Sequence, residues 1–317
     1  MNFVFIKIQV CYLKKYESAL NFKLCSIDYR YAALDFNKFS IFGKKLLMKK
    51  TILVFTLVSF GLLSCGGDDA SNDNTTEEIA NYFPLTQGTY WTYNNVSQDT
   101  QTRDSLYVAG TEVLNGNTYT NLDASTPENA FMTRTLAENL LRVEESRLIL
   151  NGELGGPPVD GFPDISIPLN DVILFDSQES PQTVLSELEG EISQEIQGYP
   201  ITINYVLKTV QGENLNTHTV DGETFNTVTT SKIILNLTIT LALEINGIPF
   251  DLPILDPESQ DIIIVTNYYA ENIGLIDSNV LVAYSLIDLS QAGIDLPIPQ
   301  EDSQTATQKI DSYNISD

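Results

Sequence analysis

Between Ile233 and Ile245 every odd position is apolar: Ile233, Leu235, Leu237, Ile239, Leu241, Leu243 and Ile245. The even positions include Asn236, Thr238, Thr240 and Glu244. A period of two places these two sets on opposite faces of a β-strand. At the usual rise per residue the run extends about 40 Å, well past the usual length of about five or six residues. Such a strand must bend or twist strongly. A second long candidate covers Tyr199–Gln211, with Ile201, Ile203, Tyr205 and Leu207 on one face. Shorter extended runs fall at 89–94, 105–109, 118–121, 131–134, 140–143, 147–150, 225–230, 261–270 and 280–287. Asn115-Gly116, Asn151-Gly152, Asp221-Gly222 and Asn246-Gly247 stand beside these runs, and such pairs favour tight hairpin turns. Helical candidates are short, Ser186–Gln194 and residues 135–141. Pro-rich stretches at 155–168 and 249–257 are expected as loops or edge segments, since proline lacks a ladder donor. Leu296-Pro297-Ile298-Pro299 leads into a polar C-terminal tail. The pattern predicts a mainly β fold. It is a single domain of long curved antiparallel strands, a half-barrel or two β layers, with few short helices.

The same pattern stops abruptly near residue 65. Residues 1–65 hold ten basic side chains and only three acids, whereas the whole chain holds 17 Lys+Arg and 42 Asp+Glu. The chain's net charge of -25 therefore combines +7 (10 − 3) in residues 1–65 with -32 (7 − 39) in the rest, and such a break separates two units. Met48-Lys49-Lys50 is a short positive segment, followed by an apolar run from Thr51 to Gly61. That run is too short to span a bilayer, which takes about 20 apolar residues, and it suits a secretion signal. Residues 48–64 are read as the signal peptide. Residues 1–47, which precede a signal that should stand first, are read as an upstream extension from a misplaced start. Residues 65–81 contain Asp68, Asp69, Asp73, Glu77 and Glu78 with no apolar period, and are expected to be a flexible acidic tether. The β domain then occupies 82–317.

Leu62-Leu63-Ser64-Cys65 resembles the lipobox of bacterial lipoproteins. In that family the cysteine thiol is diacylated and the chain is cut just before it. The resemblance makes Cys65 the lipidated N-terminus and the membrane its partner through that lipid. Cys65-Gly66-Gly67-Asp68-Asp69 is similar to lipoproteins of the Bacteroidota, in which an acidic cluster after the cysteine directs export to the outer face of the outer membrane. It implies an outer-membrane anchor, surface-facing in preference to periplasm-facing. Two further stretches resemble secreted lipoproteins of these bacteria: Tyr82-Phe83-Pro84-Leu85-Thr86-Gln87-Gly88-Thr89-Tyr90-Trp91-Thr92-Tyr93, and Tyr268-Tyr269-Ala270-Glu271-Asn272-Ile273-Gly274-Leu275-Ile276. The resemblance implies one curved antiparallel sheet and no particular activity. Asp104-Ser105-Leu106 resembles the O-glycosylation acceptor of the same bacteria, which makes Ser105 a candidate.

Candidate chemistry is thin. Upstream Cys11 and Cys25 aside, Cys65 is the last cysteine, so the β domain has no disulfide. The single His, His218, sits in a polar Asn-Leu-Asn-Thr-His-Thr stretch and is expected on a surface loop. With one His and no Cys after residue 65, no metal site is expected. Neither phosphate-binding nor dinucleotide-binding glycine loops are present in the sequence, so no cofactor is expected. The acidity excludes nucleic acid, whose phosphates need Lys and Arg. Catalytic residues are not assignable; paired carboxylates would be the only enzymatic route. Trp91 and the row from Ile233 to Ile245 are therefore candidates for core or for lining an apolar ligand. Three readings remain open: a binding or carrier module for an apolar ligand, an interaction scaffold for an envelope protein, and a carboxylate hydrolase.

Overall fold

The long alternating run is one arm of a hairpin far longer than the sequence indicates. The structure, a computed structural model, describes residues 80–316 apart from 99, 126–127, 157–164, 197, 246–247, 290–295 and 297, and apart from the side chain of Ile245. The strand Tyr199–Val220 (β8) pairs with Glu223–Ile245 (β9) through an Asp221-Gly222 turn with φ of 47° and 96°. Both central residues adopt positive φ, which Asp-Gly accommodates. A register shift between Gln211 and Asn214 bends β8 where the polar half begins.

The remaining elements follow in a meander. They are β1 (Tyr90–Ser97), β2 (Thr100–Leu114), β3 (Asn117–Ala124), α1 (Phe131–Ala137), β4 (Leu140–Glu144), β5 (Arg147–Gly155), β6 (Ser166–Asp176) and β7 (Val184–Ile196). After β9 come β10 (Ile248–Pro253), β11 (Ser259–Ala270), β12 (Gly274–Ser285) and β13 (Glu301–Asn314). All pairings are antiparallel, in the order β6-β5-β4-β3-β2-β1-β13-β12-β11-β9-β8-β7, with β10 added beside β9. The path curls into a nearly closed barrel. At its seam β6 meets β7 and β8 through side chains: Ile173 N donates to Ser186 Oγ on β7 (3.0 Å), while Thr209 Oγ1 on β8 donates to Ile173 O (2.6 Å) and Asp176 N donates to Gln211 Oε1 on β8 (2.9 Å). The exposed edge of β6 is thus satisfied without a ladder.

Several expectations change. Residues 131–134, read as extended, form the start of α1, because Asp104 fixes the preceding loop and Asn139 the end of the helix. Ser186–Gln194, read as helical, lies within β7; Leu188 and Ile192 turn inward while Glu187, Glu189 and Glu191 alternate with them. Asn151-Gly152 is no turn but a bulge inside β5, at the register shift between Leu150 and Gly152. There the Asn139 amide lies so close that a Cβ on Gly152 would meet its Oδ1 at 2.0 Å. The polar C-terminal tail is β13, the strand that joins β1 to β12. Residues 80–81 also leave the tether: Asn81 O accepts the Asn272 N–H (2.7 Å) and Ala80 packs on the core. Asn246-Gly247, the signal segment and Cys65 lie outside the described residues.

One core fills the barrel. One end is aromatic, with Phe83, Trp91, Tyr93, Phe175 and Tyr269 fully buried or nearly so. Its other end is mainly aliphatic and is built from β9, β6, β11 and the Leu255–Leu286 bridge.

Candidate binding site

Helix α1 lies against the inner face of the sheet and is held there by polar contacts. Asp104, on the inward side of β2 and 1% exposed, accepts from Asn129 Nδ2 (2.8 Å), Asn129 N (3.2 Å) and Ala130 N (2.9 Å). Ala130 is the N-cap residue and has no side-chain cap of its own; the Asp104 carboxylate instead fixes the N–H groups of Ala130 and of Asn129 before it, and its charge favours the helix N-terminus. Asn139 closes the far end, donating to Thr135 O (2.7 Å) and Glu153 O (2.9 Å) and accepting from Glu153 N (2.6 Å). Midway, Gln308 Nε2 on β13 donates to Thr133 Oγ1 (2.9 Å).

Between this helix, the β1–β2 turn and the strands β1, β2, β12 and β13 is a cavity of about 350 Å³. Val280 and Val282 from β12, Ala306 from β13 and Phe131 from α1 supply its apolar walls. Asn95, Thr102 and Gln308 supply polar groups, and Arg134 is its one charged lining residue. Arg134 forms no ion pair among the described residues, although the chain carries 42 acids. Asn95 and Gln308 are 6% and 3% exposed, yet Asn95 Oδ1 and Gln308 Oε1 have no hydrogen-bond partner among the described residues. Over nine-tenths of buried polar groups in folded proteins are paired, so two such oxygens at one cavity call for an explanation.

The two amides end a longer polar row. Gln211, Ser231, Asn267, Ser278, Gln308, Asn95 and Thr102 stand opposite one another in register across β8, β9, β11, β12, β13, β1 and β2. All but Thr102 are buried. The row separates the aliphatic end of the barrel from the aromatic end. Ser231 Oγ, Ser278 Oγ and both amide atoms of Asn267 also lack partners among the described residues. Burial raises the Tyr269 hydroxyl above its ordinary pKa; Ser231 and Asn267 oppose this, but none of the three forms a hydrogen bond of normal geometry. Replacing Asn267 by leucine removes two unsatisfied atoms at similar volume. Asn267→Leu is expected to raise stability by about 1–3 kcal/mol, read from the midpoint of urea unfolding. A loss of stability instead would mean that the amide is satisfied in solution.

The residues singled out from sequence separate clearly. Ile233, Leu235, Leu237, Ile239 and Leu241 are at most 2% exposed and belong to the core; Leu243 is partly buried and packs against it. Trp91 is also core, its ring 5.2 Å from that of Phe83 and its Nε1 donating to Ile273 O (2.5 Å). None of these lines the cavity. Ser105 lies in β2, half-buried, between the buried Asp104 and Leu106. His218 is not on a loop. It lies in the outer half of β8, where its ring stacks on Tyr268 at 4.2 Å and its Nε2 meets Asp277 Oδ2 at 3.0 Å. The β8–β9 hairpin tip folds back against β11–β13, as Asp221 pairing with Lys309 (2.7 Å) also shows. Among the described residues no group of three or more His, Cys, Asp or Glu could hold a metal. The cavity residues were missed because Asn95, Arg134 and Gln308 carry no motif and are far apart in sequence. The one available signal was the even spacing of Gln304, Ala306 and Gln308 in the supposed tail.

Comparison with known proteins gives little more. No family model matches the chain, and no curated protein does. Two crystal structures are similar in part. One is of a proposed lipoprotein from Parabacteroides distasonis, at 11% identity and a TM-score of 0.33, covering 75% of this chain and 100% of that one. The other is of a proposed exported protein with a YmcC-like fold from Bacteroides fragilis, at 10% identity and a TM-score of 0.34, covering 74% of this chain and 100% of that one. Likeness at that level assigns neither fold nor function to this chain.

Proposed function

We propose that the chain is a lipid-anchored lipoprotein of the cell envelope whose β domain is a non-catalytic binding module. The anchor rests on the lipobox at Leu62–Cys65 and the charge break behind it, which together imply an outer-membrane lipoprotein, with the domain carried outward on its acidic tether. The observation that carries the binding reading is the cavity beside α1, where two buried amide oxygens and an arginine have no partner and no ion pair among the described residues. The ligand site moves away from the long strand: the apolar row of β9 is filled by the barrel's own side chains, whereas the cavity combines apolar walls with a polar floor. That filled row favours a second reading, a closed scaffold whose acidic exterior meets an envelope protein.

Cells producing the full chain should incorporate labelled palmitate, and Cys65→Ala should abolish both the label and sedimentation with membranes. Retained label in the variant would overturn the anchor assignment. Native mass spectrometry of the full lipoprotein, released from mild detergent, tests the module. A co-purifying small molecule that disappears in Ala306→Trp supports it, because Ala306 lines the cavity and a tryptophan there fills it. A clean apoprotein mass for both favours the scaffold.

A further inference from the structure

We infer that the cavity beside α1 takes a small hydroxyl-bearing carboxylic acid, of the sugar-acid class. The inference rests on the binding-module reading above and goes on to specify what is bound. Three features converge on it. First, the charge of the lining is opposite to that of the protein. In a chain of net charge -25 the described cavity residues include one cation, Arg134, and no acid. An unpaired guanidinium suits a carboxylate, which it can clamp through two parallel hydrogen bonds. One cation matches one negative charge.

Second, Asn95 and Gln308 each present one unmatched atom of a buried amide. Asn95 Nδ2 is engaged weakly with Thr102 Oγ1 (3.4 Å) and Gln308 Nε2 with Thr133 Oγ1 (2.9 Å). If either amide is turned over, the unmatched atom becomes a donor in place of an acceptor. A group that satisfies either orientation must both donate and accept, and a hydroxyl does so. The terminal torsion of an amide is soft, so a small turn presents each unmatched atom to a bound hydroxyl. Third, Val280 and Val282, beside Gln308 on the sheet, and Phe131 from α1 offer apolar surface in the same cavity. A sugar ring shows this combination: hydroxyls at its edge and C–H groups on its faces. A volume of about 350 Å³ lies at the small end of ligand pockets, which start at about 300 Å³.

The full lipoprotein in a neutral, sugar-free detergent is titrated calorimetrically with D-glucuronate, D-glucose and octanoate. The expected result is binding of glucuronate, weaker binding of glucose, and no binding of octanoate. Arg134→Gln should weaken glucuronate about tenfold to a hundredfold, the range for a hydrogen bond to a charged group, and weaken glucose far less. Arg134 is only half-buried and unpaired, so this variant should keep its Tm. Gln308→Leu should weaken both sugars, with Thr133→Val as the control for loss of the Gln308–Thr133 bond alone. Octanoate binding without glucuronate binding overturns the sugar-acid class and leaves the binding module standing. Glucuronate binding that Arg134→Gln and Gln308→Leu do not alter overturns the site. No binding of any probe, with no co-purifying molecule, overturns both the class and the module. A co-purifying molecule lacking either hydroxyls or a carboxylate overturns the class alone.

Discussion

Trp91→Ala should cost about 3–5 kcal/mol from the lost ring alone, and more from the carbonyl it leaves behind. The side chain is fully buried and is the largest in the core. Its ring packs on Phe83, which in turn meets Tyr269 edge-on at 6.2 Å. Its Nε1 donates to Ile273 O, and the neighbouring Tyr93 hydroxyl donates to Leu275 O (3.1 Å). Without the indole, the partly buried Ile273 carbonyl loses a partner, which adds up to about 1–3 kcal/mol. Against a usual total of about 5–15 kcal/mol, this is enough to leave the domain barely folded. At about 2–4 °C per kcal/mol for a chain of this size, Tm should fall by at least roughly 8 °C. Trp91 is the protein's one tryptophan, so the variant must be followed by far-UV circular dichroism. Trp91→Phe keeps most of the ring and isolates the carbonyl, and should cost about 1–3 kcal/mol. A loss below about 1 kcal/mol in Trp91→Ala would contradict the packing described. Gly274 belongs to the same contact: its φ is 115°, and a Cβ there would stand 2.9 Å from Trp91 Nε1.

That contact explains why two short stretches, read separately in the sequence, carry so many aromatics. The opening stretch supplies Phe83, Trp91 and Tyr93; the closing stretch supplies Tyr269, the Ile273 and Leu275 carbonyls, and Gly274. They lie at opposite ends of the domain sequence but form one aromatic layer, tied further by Asn272 N to Asn81 O.

Where inward positions are apolar, the fold was legible. The row from Ile233 to Leu241 announces β9, Ile201 to Leu207 announces β8, and Asp221-Gly222 announces the turn between them. Where inward positions are polar, it was not. In β13 the inward residues run Gln304, Ala306, Gln308 and Ile310, so only the last two-residue steps carry any apolar alternation; hence the expectation of a tail. The outer half of β8, with His218, was hidden for the same reason. Helix α1 was illegible because its cap comes from Asp104, on a different strand, and not from the residue before it. The cavity inherits both difficulties: its floor is the polar side of β13 and its wall is α1. The sequence features that hid these elements are the ones that make the site.

The variant Asp104→Ala should detach α1 from the sheet, at a cost of about 3–5 kcal/mol. Its carboxylate is 1% exposed and serves three donors. Two of these are backbone N–H groups, of Asn129 and Ala130, that alanine would leave unsatisfied, at about 1–3 kcal/mol each. A helix of seven residues cannot hold itself together, since helices below about 12 residues are marginal on their own. What remains would be Thr133 to Gln308, the Asn139 contacts at the far end and the packing of Phe131, Met132 and Leu136. The predicted loss is therefore local as well as global. Hydrogen exchange should accelerate across 129–137 well before it does in β9 or β11, because local opening follows local stability. Asn129, Ala130, Phe131 and Arg134 all line the cavity, so ligand binding should disappear along with that protection. Asp104→Asn is the informative partner. Its amide retains one acceptor oxygen but replaces the other with a donor facing a donor, so it should recover only part of the stability. If Asp104→Ala left exchange across 129–137 unchanged, the helix would be held by core packing of Phe131, Met132 and Leu136, and the buried carboxylate would be incidental. If exchange rose but binding survived, the ligand would sit elsewhere, and the polar floor at Asn95 and Gln308 would belong to the barrel's internal polar row alone.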